Sequence, residues 1–492
     1  MSQATDLRQG GQRERGNPAS GKPVQPGGGS PSPVLPPDPA RWPDVAARPR
    51  GPVAAAVARM LLRKIADRMP LQVSVPSGRV FGGGQPGTPV LRLIRPGDFY
   101  RRVGAGGLIG FGESFMAGDW DCDDLAGLLT IMAREMDSLV PPRLQWLRDA
   151  YVRHHPAGDD ADETGARRNI QRHYDLSNDL FALFLDETMT YSAGIFDTGA
   201  GGTPVPVAAT GMSGAPDSAA GDFPAGDFPA GDSPAGAAGN PGGAAGAGTA
   251  AAAQLAEAQR RKIDRLLDRT GVGAGSRVLE IGTGWGELAI RAAARGAQVL
   301  SLTLSSEQRD LAVARIRAAG LSGQARVELM DYRQASGQYD AILSVEMIEA
   351  VAERYWPDYF AALGRLLAPG GRIGLQAITM PHHRMLATRR TYTWILKYIF
   401  PGGLIPSVTA IEQNAARNGL RVTDRRDFGA HYAQTLAVWR ERYCAERPAV
   451  LRLGFDETFF RMWLMYLCYS EAGFRSGYLD VSQFVLESGL AA

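Results

Sequence analysis

Val278-Leu279-Glu280-Ile281 runs straight into Gly282-Thr283-Gly284-Trp285-Gly286 and then into the helical pattern ELAIRAAARGA. An apolar strand ending in three glycines lets the backbone turn tightly and approach a ligand lying over the strand's carboxyl end. A dinucleotide site of Rossmann type asks for Gly-x-Gly-x-x-Gly and an acidic residue about 20 positions on. Here the third glycine comes one residue early, and the second strand ends Leu302-Thr303-Leu304-Ser305 without an acid. Glu280 stands before the first glycine instead, and Asp331 follows the third strand. With Gly282, Gly284 and Gly286, those two acids suit S-adenosylmethionine, and methyl transfer suits them better than hydride transfer.

The elements that must position this loop follow from periodicity. From Arg277 onward, strand and helix patterns alternate (RVLEIGTGWG, ELAIRAAARGA, QVLSLTLS, SEQRDLAVARIRAAGL, ARVELMDY, YDAILSVEMIEAV). Such alternation predicts a parallel sheet with helices on both faces. Upstream, AAAVARMLLRKIADRM has helical period. LQVSVPSG, RVFGG and PVLRLIRP read as short strands, and residues 108–137 as a glycine-rich turn and a helix. Together they predict a small α+β domain over 53–140. Residues 164–186 are a helical, polar-aromatic segment, and the last 110 residues add further aromatic-rich helices.

The 60 glycines and 32 prolines are unevenly placed. Residues 1–52 cannot bury enough apolar surface to offset the entropy of ordering and read as a disordered tail. Residues 199–250 carry Ala-Gly-Asp-(Phe/Ser)-Pro repeats and read as a flexible insertion. That insertion interrupts the domain spanning 164–492. A net charge of +2 gives no field that points to nucleic acid. Three cysteines are too few for a disulfide framework. His382-His383 lacks further ligands at metal spacing, so no metal is expected. No apolar run is long enough to span a bilayer and the N-terminus has no signal-peptide core, which predicts a cytoplasmic protein.

Several segments, in order, resemble the cyclopropane-fatty-acyl-phospholipid synthase family, which includes the mycolic acid cyclopropane synthases. They are Asn169 to Asn178 (NIQRHYDLSN), Met189-Thr190-Tyr191-Ser192, Glu280 to Gly286, Leu302 to Gln308 (LTLSSEQ), Tyr398 to Gly403 (YIFPGG) and His431 to Leu436 (HYAQTL). Gly110 to Met116 and Asp119-Trp120-Asp121 resemble the N-terminal domain of longer members. The fold this implies is α/β: a Rossmann-like class I methyltransferase sheet with helical lid and substrate elements, preceded by a small α+β N-terminal domain.

The resemblance implies that a cis double bond of an acyl chain attacks the methyl of S-adenosylmethionine. A base, in this family a bound bicarbonate, then removes a proton as the ring closes. Carried over by position, the cofactor residues are Tyr191, Ser192, Gly282, Gly284, Thr303 and Gln308, with Asp331 or Tyr332 near the adenine. The catalytic residues are Glu349 and Tyr432, and His173 and Tyr174 lie in the lid segment. Gln376 stands where relatives place a histidine of the bicarbonate cluster. Ala193 and Ala350 replace a common Cys and His; with Gln376, Ala350 resembles a plant-type branch. The implied partners are unsaturated phospholipid acyl chains and, transiently, the inner face of a membrane, with a homodimer as an oligomeric option.

Trp394, Phe400, Trp439, Phe459, Phe460, Trp463 and Tyr466 are either core or the wall of an acyl-chain tunnel. Arg384, Arg389, Arg390 and Lys397 are either a solvated face or a basic rim for lipid phosphates. The function expected is cyclopropane synthesis on the acyl chains of phospholipids; the alternatives are acyl C-methylation giving methylene- or methyl-branched chains, and a lipid- or cofactor-binding pseudoenzyme.

Overall fold

The computed structural model describes residues 36–135, 177–197 and 243–489. Its centre is a seven-stranded sheet of β5 (Arg277–Ile281), β6 (Gln298–Thr303), β7 (Ala325–Leu329), β8 (Tyr339–Val345), β9 (Leu367–Thr379), β10 (Leu420–Asp427) and β11 (Asp480–Ser488). The strand order is β10-β11-β9-β8-β5-β6-β7, and β11 runs antiparallel to both of its neighbours. Val278, Leu279 and Ile281 of β5 and Ile342 and Leu343 of β8 are buried on both faces, as central parallel strands require. Order reverses at β5, which pairs with β6 on one side and β8 on the other. A crevice therefore opens beyond the carboxyl ends of these strands, where open α/β sheets bind ligands.

A four-stranded sheet of order β2-β1-β3-β4 precedes it, built from β1 (Gln72–Ser74), β2 (Val80–Phe81), β3 (Val90–Leu93) and β4 (Trp120–Asp121). The helices Pro52–Arg68 and Pro96–Met116 pack beside it. One hydrophobic cluster joins its Phe115, Trp120 and Leu128 to Trp439, Trp463 and Leu467 of the C-terminal helices Gly429–Ala445 and Glu457–Arg475. Arg461 clamps the junction, donating to the carbonyls of Phe115 and Trp120.

Four sequence expectations are corrected. Residues 36–52, assigned to the tail, are anchored to the fold at two points: Val45 is fully buried in the helix Pro43–Ala46, and the Trp42 indole donates to Asp456. The helix Gly243–Arg269 begins inside the segment 199–250, because its alanines are good helix formers once Leu255, Ala258 and Ile263 anchor the helix in the core. The glycine-rich stretch around Gly110 and Gly112 is helical. A Cβ on Gly112 would lie 2.4 Å from the Trp394 ring, so glycine serves close packing there. Finally, the C-terminal region contributes β10 and β11 as well as helices. Their alternation was hidden because β11 is buried on both faces from Val481 to Leu486.

The basic run is only partly free. Lys397 reaches Glu113 at 2.6 Å and Asp44 at 2.7 Å, and the Tyr398 hydroxyl donates to Glu113 at 2.9 Å. Arg389 pairs with Glu353 and Arg384 lies over the Tyr478 ring. Lys397 is thus a tie between two parts of the fold. Glu113→Ala, which strips Lys397 and Tyr398 of a shared acceptor, is expected to cost about 1–3 kcal/mol. Urea unfolding measures the loss, and unchanged stability would show the tie to be energetically idle.

Candidate active site

Nine of the sequence-predicted cofactor residues line one pocket at the carboxyl ends of the central strands: Tyr191, Ser192, Glu280, Gly282, Gly284, Thr303, Gln308, Asp331 and Tyr332. Gly282 has φ +96°, a left-handed backbone that glycine adopts at no steric cost. Gly286 does not line the pocket. Its φ is +91°, and a Cβ there would lie 3.0 Å from the Ala312 Cβ, so it lets the helix Glu287–Ala294 pack closely. Tyr174 and His173 lie outside the described residues.

Each wall is held by local chemistry. Glu280 is buried in β5 and accepts from the Ser301 hydroxyl of β6; burial pushes its carboxyl up to about 8. Thr303 donates to Gln308 at 2.9 Å, and Ser305 caps the helix carrying Gln308. Asp331 is gripped by the Arg333 guanidinium. Tyr191 shares a 2.6 Å hydrogen bond with Tyr466 and stacks on Trp439.

Two lining residues were not anticipated. Lys262 is 1 % exposed and donates to the Ser192 hydroxyl at 2.6 Å; burial lowers its ammonium to about 8, against the pull of Glu346, Asp186 and Glu280. Its place in a long basic helix, Arg260-Arg261-Lys262, disguised it as a surface residue. Glu346 is the second. Its carboxylate accepts from the Ala193 backbone N–H at 3.0 Å, from Gln376 Nε2 at 2.8 Å and from the Tyr432 hydroxyl at 2.6 Å. Its backbone has φ +50°, uncommon for a residue with a side chain.

Tyr432 and Gln376 therefore converge, but on Glu346 rather than on Glu349. Glu349 accepts from the Ile378 N–H, and its other oxygen is buried without a hydrogen-bond partner. Burial, with the neighbouring Glu346 charge, pushes Glu349 up to about 8, which favours its neutral form. It is not among the pocket-lining residues. The signal available in the sequence was the second glutamate three positions earlier in Glu346-Met347-Ile348-Glu349.

The wall beyond this cluster is aromatic. Tyr432 stacks on Phe474 with ring centres 4.4 Å apart, and Trp439 meets it edge-on. Trp439, Trp463, Phe459, Phe460 and Tyr466 are all buried in the cluster that joins the two sheets. Of the two readings of these aromatics, this structure presents the core.

A pocket at the switch point of a seven-stranded sheet with one antiparallel strand, lined by a glycine loop, is the arrangement of class I methyltransferases. The sequence matches the family model of mycolic acid cyclopropane synthetase over residues 161–202 and 248–484. The chain belongs to this family. The interruption of the match falls within the repeat-bearing stretch, and the fold is that of S-adenosylmethionine-dependent methyltransferases. Among relatives, the tuberculostearic acid methyltransferase of Mycobacterium tuberculosis is 50% identical over 450 residues, 91% of this chain and 95% of that protein. The cyclopropane-fatty-acyl-phospholipid synthase of Escherichia coli is 29% identical, covering 81% of this chain and 88% of its own. A solved structure of mycolic acid cyclopropane synthase CmaA1, complexed with SAH and CTAB, superposes with a TM-score of 0.51 at 28% identity, over 65% of this chain and 97% of that one. This family member is an S-adenosylmethionine-dependent methyltransferase. Among the described residues, no helix is long and apolar enough to cross a membrane.

Proposed function

We propose that this enzyme methylates the cis double bond of an unsaturated acyl chain carried on a phospholipid, and that the product is a methylene-branched chain. The observation that carries the reading is the Glu346–Tyr432–Gln376 cluster. Its Glu346 lines the glycine-loop pocket, and its Tyr432 packs against Trp439 and Phe474. A substrate cation survives where water is excluded and fixed polar groups face it. Aromatic faces add to that stabilisation. The 50% identity to a tuberculostearic acid methyltransferase supports methyl transfer without ring closure. The second reading, a cyclopropane product, is favoured by the more distant synthases and the family model.

When bound, S-adenosylmethionine supplies an electrophilic methyl, which the alkene π pair takes while the carbon–sulfur pair stays on sulfur. The residues present suit it. Asp331 and Tyr332 would hold the adenosine end, Thr303 and Gln308 the ribose side, and Ser192, Glu280 and Lys262 the amino-acid end. Tyr191, Gly282 and Gly284 complete the cradle. Lys262→Met keeps the length and removes the charge. Losing one charge-assisted contact of about 1.5–3 kcal/mol is expected to weaken S-adenosylhomocysteine binding about 10–100-fold. Isothermal titration calorimetry checks this, and unchanged affinity would remove Lys262 from the cofactor site.

Contact with a lipid surface is supported by the helix Pro52–Arg68. Val53, Val57, Met60 and Leu61 are exposed on one face of it, with Arg59, Arg63 and Lys64 beside them. An apolar stripe flanked by cations suits an anionic bilayer.

Incubation with S-adenosylmethionine and oleoyl-phospholipid vesicles, followed by gas chromatography–mass spectrometry of the acyl chains, tests the function. A methylene-branched product is expected. A ring product would favour the second reading, and no methyl incorporation would overturn both.

A further inference from the structure

Gln376, which stands where relatives place a histidine of the bicarbonate cluster, and its neighbours Tyr432 and Ala193 do not leave room for the ion. Tyr432 has a single hydroxyl proton, Ala193 a single N–H, and both are directed at Glu346, as is Gln376. An anion held by these three donors would overlap the Glu346 carboxylate. We infer that Glu346 is itself the base of the reaction, a carboxylate covalently built into the position of an exchangeable ion. This rests on the methyl-transfer function proposed above.

Three further observations carry it. The first is that the amide orientation of Gln376 is dictated from a distance. Arg265, a donor only, faces Gln483 Oε1 at 2.7 Å, so the Gln483 Nε2 end must point inward. That Nε2 donates to Gln376 Oε1 at 3.0 Å and to the Lys262 carbonyl at 3.0 Å. Gln376 must then present its own Nε2, and the atom that receives it is Glu346 Oε1. A chain of fixed polarity from Arg265 therefore ends on an acceptor. Asp424 anchors the start of the chain at 2.8 Å from Arg265.

The second observation is the backbone. Glu346 and Met189 are the described non-glycine residues with positive φ, and both line the pocket. Strain of this kind, on the order of 1–3 kcal/mol, persists where surrounding contacts over-determine it and clusters at functional sites. Glycine would hold this turn without strain, so the side chain is what the conformation retains.

The third is capacity. A carboxylate offers about four acceptor positions and three are filled, leaving one for a proton. Glu346 is partly open to the pocket, whereas Gln376 and Ala193 are fully buried.

The step balances without an added oxidant or reductant. After methyl addition, the hydride on the methylated carbon moves to its cationic neighbour. The transferred methyl then gives a proton to a Glu346 oxygen, and the released C–H pair becomes the exocyclic double bond. For a ring product, the hydride stays and the same pair closes onto the cationic carbon.

The test uses full-length protein, oleoyl-phospholipid vesicles and methyl-labelled S-adenosylmethionine, in buffer stripped of carbon dioxide and in buffer with added bicarbonate. The wild type is expected to turn over equally in both. Glu346→Gly, which relieves the strained φ and opens the cavity, is expected to lose about 10²–10⁴-fold in turnover. It should bind S-adenosylhomocysteine normally and recover part of the rate with bicarbonate or formate. Wild-type activity that collapses without bicarbonate and returns with it would overturn the inference. So would a Glu346→Gly variant that binds S-adenosylhomocysteine yet gains nothing from either anion. Absence of methyl transfer by the wild type in every buffer would instead overturn the proposed function, and the inference with it.

Discussion

Glu346→Gln is expected to lower turnover about 10²–10⁴-fold while leaving S-adenosylhomocysteine affinity within a factor of a few. The amide is isosteric: its one oxygen can still accept from Ala193 and Gln376, while its NH2 faces the Tyr432 hydroxyl, which can turn to accept. What disappears is the ability to take a proton and the negative charge facing the substrate cation. Glu349→Gln should lose far less, within about 10-fold. Burial and the Glu346 charge push its carboxyl up toward the neutral form, which an amide mimics. The comparison is direct: single-turnover rates of the two variants with the same vesicles. A larger loss in Glu349→Gln would return the base to the position that the family resemblance indicated.

The same carboxylate sets a pH dependence. Burial raises Glu346 above the ordinary carboxylate range near about 4.3, against the lowering effect of the Tyr432 and Ala193 hydrogen bonds and of Lys262. A base works when unprotonated, so kcat/KM should rise with pH as this proton leaves, with its acid limb above the ordinary range. The limb should vanish from the residual activity of Glu346→Gln. A limb that persists unchanged in the variant would assign it to another group.

Trp439→Ala is expected to cost about 3–5 kcal/mol of stability, the range for emptying a buried tryptophan site. Trp439 is fully buried and touches three aromatic neighbours of the site. It stacks on Tyr191 at 5.2 Å, and meets Phe184 at 6.1 Å and Tyr432 at 6.3 Å edge-on. Its removal should also depress kcat/KM, because Tyr191 and Tyr432 lose the surface that fixes their hydroxyls. Trp439→Phe should recover much of both. Chemical denaturation together with kinetics separates the two effects. A loss below about 1 kcal/mol would mean that this face borders an open channel, and would revive the tunnel reading of these aromatics.

The cofactor loop was legible because its requirements are local. Val278 to Gly286 must be an apolar strand, then residues tolerant of positive φ, then a helix start, and only a few side chains permit that order. Thr303 and Asp331 followed because they sit at and just beyond the ends of β6 and β7, and Gln308 because it opens the helix Ser306–Ala318 after β6. The α/β class was legible for the same reason. β11 was less so, because its antiparallel insertion beside β9 depends on a return from the helix Glu457–Arg475, and a strand buried on both faces has no alternation to read.

The Glu346 cluster is the converse case. Tyr432, Gln376 and Ala193 were each identifiable as candidates, yet the atom they serve was not. Sequence spacing makes Glu346 and Glu349 neighbours three positions apart, and nothing in that spacing says which one turns toward the pocket. That was decided by the positive φ at Glu346, by the Ile378 N–H that holds Glu349 aside, and by the polarity relayed from Arg265 through Gln483 and Gln376. Those contacts span up to 218 residues of chain. By itself, then, the sequence determined the loop and strand ends that line the pocket, the sheet class and the family, all of which depend on short-range patterns. Only the tertiary structure decided which carboxylate lines the pocket and gathers the three donors, since three distant elements must close around it before either glutamate has a surrounding to distinguish it.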